Sequence, residues 1–376
     1  MEQISVLLAV CLLPAALNDI SMYRKRRVTA CVSGNDADRY EKKETWLFAA
    51  LIVAVLTVYG GLRTSFNDTY FYIHAYERLR GFESFSDMDM SLGANPGFFF
   101  LNVLLSEAGL SFHWLLLLTS FVSQFCVIWF FRRYSPSMTM SVLMYICSGA
   151  YLFSLAAIKQ CVATGLCLSA THHMLKGRKF LYLALVAVAA TVHPYALLYL
   201  VAPLLTVRPW KATTYLILAA AAVAGAAFTE LVQLLAGITS GIGEEYTAEY
   251  LSGEGVNFLR LLVYSVPVVF SFVRRRELYT DSDRAENLMS NMSVLCFALM
   301  FLALFGTANM FARLANYFQM FMMAALPWML LKCKGRLQAP VVYAFAACYM
   351  VFAFYSYADF GMYFRRITLA EFILGG

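Results

Sequence analysis

Charge is what this sequence has least of. Only 14% of its 376 residues are Asp, Glu, Lys or Arg and 61% are apolar, whereas a soluble domain carries about a quarter charged residues and just under half apolar ones. That excludes a water-soluble globule and makes the bilayer the solvent. Cysteine motifs are missing too: none of the nine cysteines forms a C-x-x-C pair, and seven fall in apolar runs, with Cys31 and Cys333 in basic loops. They read as small core hydrophobes, and neither a disulfide nor a zinc framework is expected. Histidine is scarce, and the one adjacent pair, His172-His173, lacks spaced partners, so no metal site and no cofactor are predicted. No internal repeat is visible, which counts against a transporter built from repeated halves. The net charge of +6 does not point to nucleic acid, because basic residues in a membrane protein mark the cytoplasmic side.

What is there is a series of apolar stretches. A spanning helix needs about 20 apolar residues, and twelve candidates of uneven length lie at 2–18, 46–62, 112–131, 138–156, 159–174, 180–193, 195–207, 213–236, 257–273, 288–306, 313–331 and 340–358. The expected fold is an all-α polytopic membrane protein, 1–376 as one integral membrane domain. The 180–193 and 195–207 stretches meet at His193-Pro194, where proline lacks an N–H and disfavours helix in the residue before it. With the N-terminus outside, the connections at 19–45, 132–137, 171–179, 208–212, 274–287 and 332–339 are cytoplasmic and hold 21 of the 29 Lys and Arg residues. Both termini are then expected on the outer side. Residues 97–108 (GFFFLNVLLSEA) would invert every later loop if they crossed, so a re-entrant or shallow helix is expected there, which needs protein or a watery cavity around it.

Two outer loops carry features of their own. In the first, 63–110, Asn67-Asp68-Thr69 precedes an apolar stripe of Tyr72, Tyr76, Leu79 and Phe82 at helical spacing, which predicts an amphipathic interfacial helix. The second, 237–256, is rich in glycine and carries Glu244, Glu245, Glu249 and Glu254, which suits a mobile acidic lid.

Eight basic residues are left outside by this sorting: Arg63, Arg78, Arg80, Lys159, Arg260, Arg313, Arg365 and Arg366. Arg63, Lys159, Arg260 and Arg313 lie at or just inside the outer ends of spans, where an ionisable residue costs free energy and signals function. Arg63 and Asp68 read either as a snorkelling cation and a helix cap or as a phosphate ligand and a proton acceptor. Lys159 heads the fifth span beside Gln160, as a snorkelling lysine or a phosphate ligand. His193 sits at the break, as a core histidine or a base. Arg313, Asn316 and Tyr317, at i, i+3 and i+4, share one helical face and suit substrate contact. Arg365-Arg366 suit anionic headgroups. Cations gathered at the outer leaflet suit a lipid-borne anion such as a pyrophosphate.

The runs GLRTSFNDTYFYIHAY, NPGFFFLNVLL, SLAAIKQCVATGLCLSATHHMLKGRKFLYLALVAVAATVHPYALLYL and RLANYFQ resemble the EpsG-type, Wzy-like family of bacterial polysaccharide polymerases over most of residues 46–331. Arg63, Asp68, His193, Arg313, Tyr317 and Phe318 match the family pattern position by position. Two positions depart from it: the family's Arg-Gln is Lys159-Gln160, and its Glu before Pro-Gly is Asn95. The resemblance implies a helical bundle of the GT-C type at the bacterial cytoplasmic membrane. It also implies an undecaprenyl-pyrophosphate-linked glycan as donor and a lipid-linked repeat unit as acceptor. An acceptor hydroxyl would attack the anomeric carbon through an oxocarbenium-like state, without a metal. On this reading Arg63, Lys159 and Arg313 bind pyrophosphate, Asp68 or His193 is the base, and Gln160, Asn316 and Tyr317 orient substrate. A flippase and a chain-length regulator are candidate protein partners. A ligase-like or other lipid-linked-sugar transferase, and a transporter or flippase, stay open as alternatives.

Overall fold

The computed structural model describes residues 2–29, 35–79, 91, 94–241, 254–306, 308–332, 338–358 and 360–374. Arg80, Phe82, Cys31, Cys333 and the stretch 242–253, with Glu244, Glu245 and Glu249, lie outside the described residues. Each of the twelve apolar stretches is helical over most of its length. Among the described residues four helices are long and apolar enough to cross a membrane: Gln3–Met22, Phe112–Tyr134, Arg284–Leu302 and Ala339–Ser356. Counting each of three bent helix pairs as one span gives seven. The protein is therefore an all-α, multi-pass membrane protein.

Three of the stretches are bent helix pairs. The 138–156 stretch is Met138–Cys147 and Ala150–Ala156, bent by 56° where Gly149 takes φ +81, a left-handed conformation that glycine adopts without strain. The 213–236 stretch turns by 97° and the 313–331 stretch by 51°. The 195–207 stretch is a 3-10 helix, Pro194–Thr206, with prolines at its start and at Pro203. Its ~2.0 Å rise per residue lets 13 residues reach about 26 Å, further than an α-helix of that length.

The 97–108 stretch forms the helix Pro96–Glu107. Twelve residues extend about 18 Å, short of a hydrocarbon core of about 30 Å. It starts as a helix should, with proline at its first position and the Asn95 carbonyl accepting from the N–H groups of Phe98 and Phe99. The amphipathic helix runs Thr69–Glu77 and buries Thr69 and Tyr76. Asp68 precedes it without a side-chain capping bond, so the expected Asx cap is absent.

The chain falls into two compact units. The first comprises residues 1–82, 102–158 and 340–376. There the helix Asn35–Gly61 packs on Glu2–Thr29 and on Phe112–Tyr134. Asp19 of the first helix caps another helix in trans: its carboxylate accepts from Ser137 Oγ at 2.9 Å, the Met138 N–H at 2.9 Å and the Thr139 N–H at 3.0 Å. These are the unsatisfied donors of the Met138–Cys147 N-terminus, where negative charge is favoured. In the same unit Arg63–Ser65 pairs antiparallel with Arg365–Arg366, and the Ile367 N–H donates to the Leu62 carbonyl. The C-terminal tail is thus stitched to the turn that carries Arg63.

The second unit comprises residues 83–101 and 159–339. The helix Arg284–Leu302 lies at its centre, in contact with Ala212–Ala226, Phe258–Val273, Ala308–Asn316, Gln319–Lys332 and the 3-10 helix. It begins with a reciprocal capping box between Asp283 and Glu286. One turn further in, Asn291 is fully buried yet satisfied, donating to the carbonyls of Leu205 and Val207 and accepting from Thr214 Oγ1. That amide fixes the end of the 3-10 helix, since an unmade bond there would strand buried carbonyls.

Candidate functional site

Of the eight candidate residues, Arg63 and Asp68 belong to the first unit, and Lys159, Gln160, His193, Arg313, Asn316 and Tyr317 to the second.

Arg63 is not a snorkelling cation. It is 1% exposed, its Nε donates to Thr69 Oγ1 at 3.0 Å and its Nη1 to the Gly60 carbonyl at 2.7 Å. These bonds close the turn between the Asn35–Gly61 and Thr69–Glu77 helices, so Arg63 holds the backbone that carries Asp68. Asp68 itself is half-buried.

In the second unit the local chain geometry explains how a site forms. The helix pair Ala308–Asn316 and Gln319–Lys332 breaks at Tyr317-Phe318. Across the break the N–H groups of Tyr317, Phe318 and Phe321 donate three residues back, to Leu314, Ala315 and Phe318, rather than four. Such a step releases carbonyls from the α-helical ladder, and two of them are caught by side chains. Gln160 Nε2 donates to the Arg313 carbonyl at 2.5 Å, and Tyr199 Oη donates to the Tyr317 carbonyl at 2.6 Å. Gln160 is 2% exposed and Tyr199 fully buried. Gln160, expected to orient substrate, is therefore bonded to the main chain of Arg313.

The break turns the Tyr317 hydroxyl onto His193, with Oη 2.8 Å from Nδ1. His193 is held extended between the helix Lys179–Val192 and the 3-10 helix, at φ −156 and ψ 119, as a residue before proline requires. Its Nε2 has no hydrogen-bond partner among the described residues. Lys159 and Arg313 are the charges that act on its ring. Both are half-buried, Lys159 in the first turn of Ile158–Leu175 and Arg313 in the last turn of Ala308–Asn316. Asn316 Oδ1 accepts from Tyr264 Oη at 3.0 Å. The second unit thus brings together an imidazole, a phenol, an amide and two cations at a helix break, a set able to move a proton and to neutralise an anion.

Sequence reasoning missed Tyr199 and Tyr264. A buried tyrosine needs a partner for its hydroxyl, and Tyr195 with Tyr199 at i, i+4 beside the His193-Pro194 break is the signal that could have drawn attention. It also missed the reason for Asn95, which sits at φ 55. Asn tolerates the left-handed region better than Glu, so the residue that replaces the family's glutamate suits the backbone at the start of Pro96–Glu107.

No curated protein and no solved structure matches the chain. The EpsG family model matches residues 46–366, from the second apolar stretch to the strand that pairs with Arg63–Ser65, and the chain belongs to the EpsG family.

Proposed function

We propose that this protein is a polysaccharide polymerase, a membrane glycosyltransferase that joins undecaprenyl-pyrophosphate-linked oligosaccharide repeat units at the outer face of the bacterial cytoplasmic membrane. Membership of the EpsG family supports a membrane polysaccharide polymerase. The observation that carries the chemistry is the His193–Tyr317 pair beside Lys159 and Arg313.

In this reading an acceptor hydroxyl attacks the anomeric carbon of the donor glycan. The new C–O bond forms as the bond to pyrophosphate breaks, and the hydroxyl proton passes to a general base. His193 serves as that base through Nε2. Its Nδ1 then carries the other proton and donates to Tyr317 Oη, which fixes the ring orientation. The leaving pyrophosphate is met by Arg313 and Lys159 in the manner of a cationic clamp, so the step needs no metal ion. Lysine supplies a point charge rather than the fork of arginine, which leaves bidentate recognition to Arg313. Asp68 is the alternative base. A flippase would deliver the repeat units and a chain-length regulator would set the product distribution.

The test uses the purified protein in lipid nanodiscs with one lipid-linked repeat unit. A ladder of products supports polymerisation. A single transfer supports a ligase-like enzyme, and substrate movement in proteoliposomes without new glycosidic bonds supports a transporter. Arg313→Lys is expected to retain partial activity and Arg313→Ala almost none; normal kinetics for Arg313→Ala would remove that residue from the clamp. Chelation with EDTA should leave the rate unchanged.

A further inference from the structure

Donor and acceptor in the proposed reaction both carry a pyrophosphate, so one anion site is not enough. The Lys159–His193–Arg313 group supplies one. A second set of donors lies on the neighbouring helix Phe258–Val273, which packs against Arg284–Leu302 and Gln319–Lys332. Its buried stripe is Leu261, Tyr264, Pro267, Val268 and Ser271, and Arg260 stands one turn before Tyr264, at i and i+4, where side chains are neighbours. Arg260 is half-buried, and its guanidinium makes no hydrogen bond or ion pair among the described residues. Tyr264 is 3% exposed and gives its hydroxyl proton to Asn316 Oδ1. That bond takes one of the two lone pairs of Oδ1 and turns the amide so that Asn316 Nδ2, which has no partner among the described residues, is the donor on offer. Arg260 and Asn316 Nδ2 together present N–H donors from two side chains, one of them cationic, a set that suits an oxyanion.

The approach to Arg260 is also built. The Val256 N–H donates to the Ala303 carbonyl at 2.8 Å, and a Cβ on Gly255 would collide with the Leu304 carbonyl. Asn257 then caps the helix, accepting from the Leu259 N–H at 2.8 Å. The start of the helix is thereby held to the end of Arg284–Leu302, which places Arg260 on a rigid element.

We propose that Arg260 and Asn316, with Tyr264 as the positioning residue of Asn316, form a second anion subsite that binds the pyrophosphate of the acceptor, beside the donor clamp of Lys159 and Arg313. The proposal rests on the polymerase reading for the identity of the ligand, though not for the existence of the subsite.

Two measurements on the full-length protein in nanodiscs test it. The first is the stoichiometry of binding of undecaprenyl pyrophosphate alone. Two molecules per protein are expected for the wild type and one for Arg260→Ala, with Arg260→Lys retaining the second at weaker affinity. The second is polymerisation at varied concentrations of acceptor with donor saturating. Arg260→Ala should raise the half-saturating acceptor concentration at least tenfold while that of the donor stays within twofold, and Tyr264→Phe should shift the acceptor term in the same direction by a smaller factor. A single pyrophosphate on the wild type, or an Arg260→Ala enzyme with unchanged acceptor dependence, overturns the subsite. If two pyrophosphates bind and Arg260→Ala removes one, yet no polymer forms under any condition, the subsite stands and the polymerase reading falls.

Discussion

Removing one hydroxyl, in Tyr199→Phe, tests whether the helix break sets the chemistry. Tyr199 is fully buried, and its ring lies 5.5 Å from that of Phe318 and 6.1 Å from that of Phe321. Phenylalanine keeps these ring contacts and opens no cavity. The Tyr182 hydroxyl still donates to the residue 199 carbonyl, so the change isolates the bond from Tyr199 Oη to the Tyr317 carbonyl. Hydrogen bonds between membrane helices contribute about 0.6 kcal/mol on average and at most about 1.7, while a carbonyl left buried without a partner costs about 1–3 kcal/mol. The expected loss is therefore on the order of 1 kcal/mol. If that loss appears in the transition state, the rate falls about fivefold. The assay is initial polymerisation rate together with thermal unfolding in the same nanodiscs. A double-mutant cycle with Tyr317→Phe separates the two effects: the Tyr317 hydroxyl contacts His193 while its carbonyl contacts Tyr199, so the break couples them only if it aims the phenol. A coupling of at least about 0.5 kcal/mol in activation free energy is expected. Additive effects on rate, with Tyr199→Phe merely lowering the unfolding temperature, would refute the argument that the break positions His193 and Tyr317.

Three other outcomes follow from the same geometry. Asp19→Ala removes an acceptor shared by three donors at the Met138–Cys147 N-terminus and should destabilise the first unit by about 1–3 kcal/mol, read as a lower unfolding temperature; an unchanged temperature would show that water replaces the carboxylate. Lys159→Arg restores the family's Arg-Gln and adds a bidentate fork, so the half-saturating donor concentration should fall severalfold; a rise would mean that the packing around residue 159 admits only the slimmer ammonium group. Asp68→Asn should abolish polymer while expression and lipid binding persist, if Asp68 rather than His193 accepts the proton; retained polymerisation in vitro assigns the base to His193.

Hydropathy picked out twelve stretches that are helical over most of their length, because burial in lipid demands apolar runs whatever their tertiary partners, yet among the described residues only four helices, or seven with each bent pair as one span, are long and apolar enough to cross. Breaks were legible only where the sequence announces them chemically. His193-Pro194 does so through the missing proline N–H. The bend at Gly149 and the one at Tyr317-Phe318 do not, since a lone glycine in an apolar run is common and nothing in ANYFQ forbids a helix. The site residues were picked out one at a time from charge and position, yet their pairings are long-range: Tyr317 reaches His193 across 124 residues of sequence and Gln160 reaches Arg313 across 153. Arg63 shows the limit of a charge-based reading. Nothing in GLRTSF reveals that its guanidinium closes a turn of its own backbone on Gly60 and Thr69.

Lys159 and Gln160 are neighbours in sequence, and on the polymerase reading they do opposite work. A polar side chain at membrane depth must be justified either by the fold or by a ligand. Gln160 is justified by the fold: it is 2% exposed and bonded to a carbonyl released at the helix break. Gln160→Leu, of similar volume, therefore strands the Arg313 carbonyl and should cost about 1–3 kcal/mol of stability. Arg313 would shift as its carbonyl moves, so the rate should fall along with the unfolding temperature. Lys159 is half-buried in the first turn of Ile158–Leu175, and on the polymerase reading its charge serves the pyrophosphate. Lys159→Met keeps the length and apolar stem of the side chain while removing the charge. It should lower the polymerisation rate by at least tenfold through loss of a pyrophosphate ligand, with a smaller drop in unfolding temperature than Gln160→Leu. The two variants separate stability from rate at adjacent positions. If Lys159→Met lowered the unfolding temperature as much as Gln160→Leu and left the rate intact, the lysine would be a structural element and the donor clamp would reduce to Arg313.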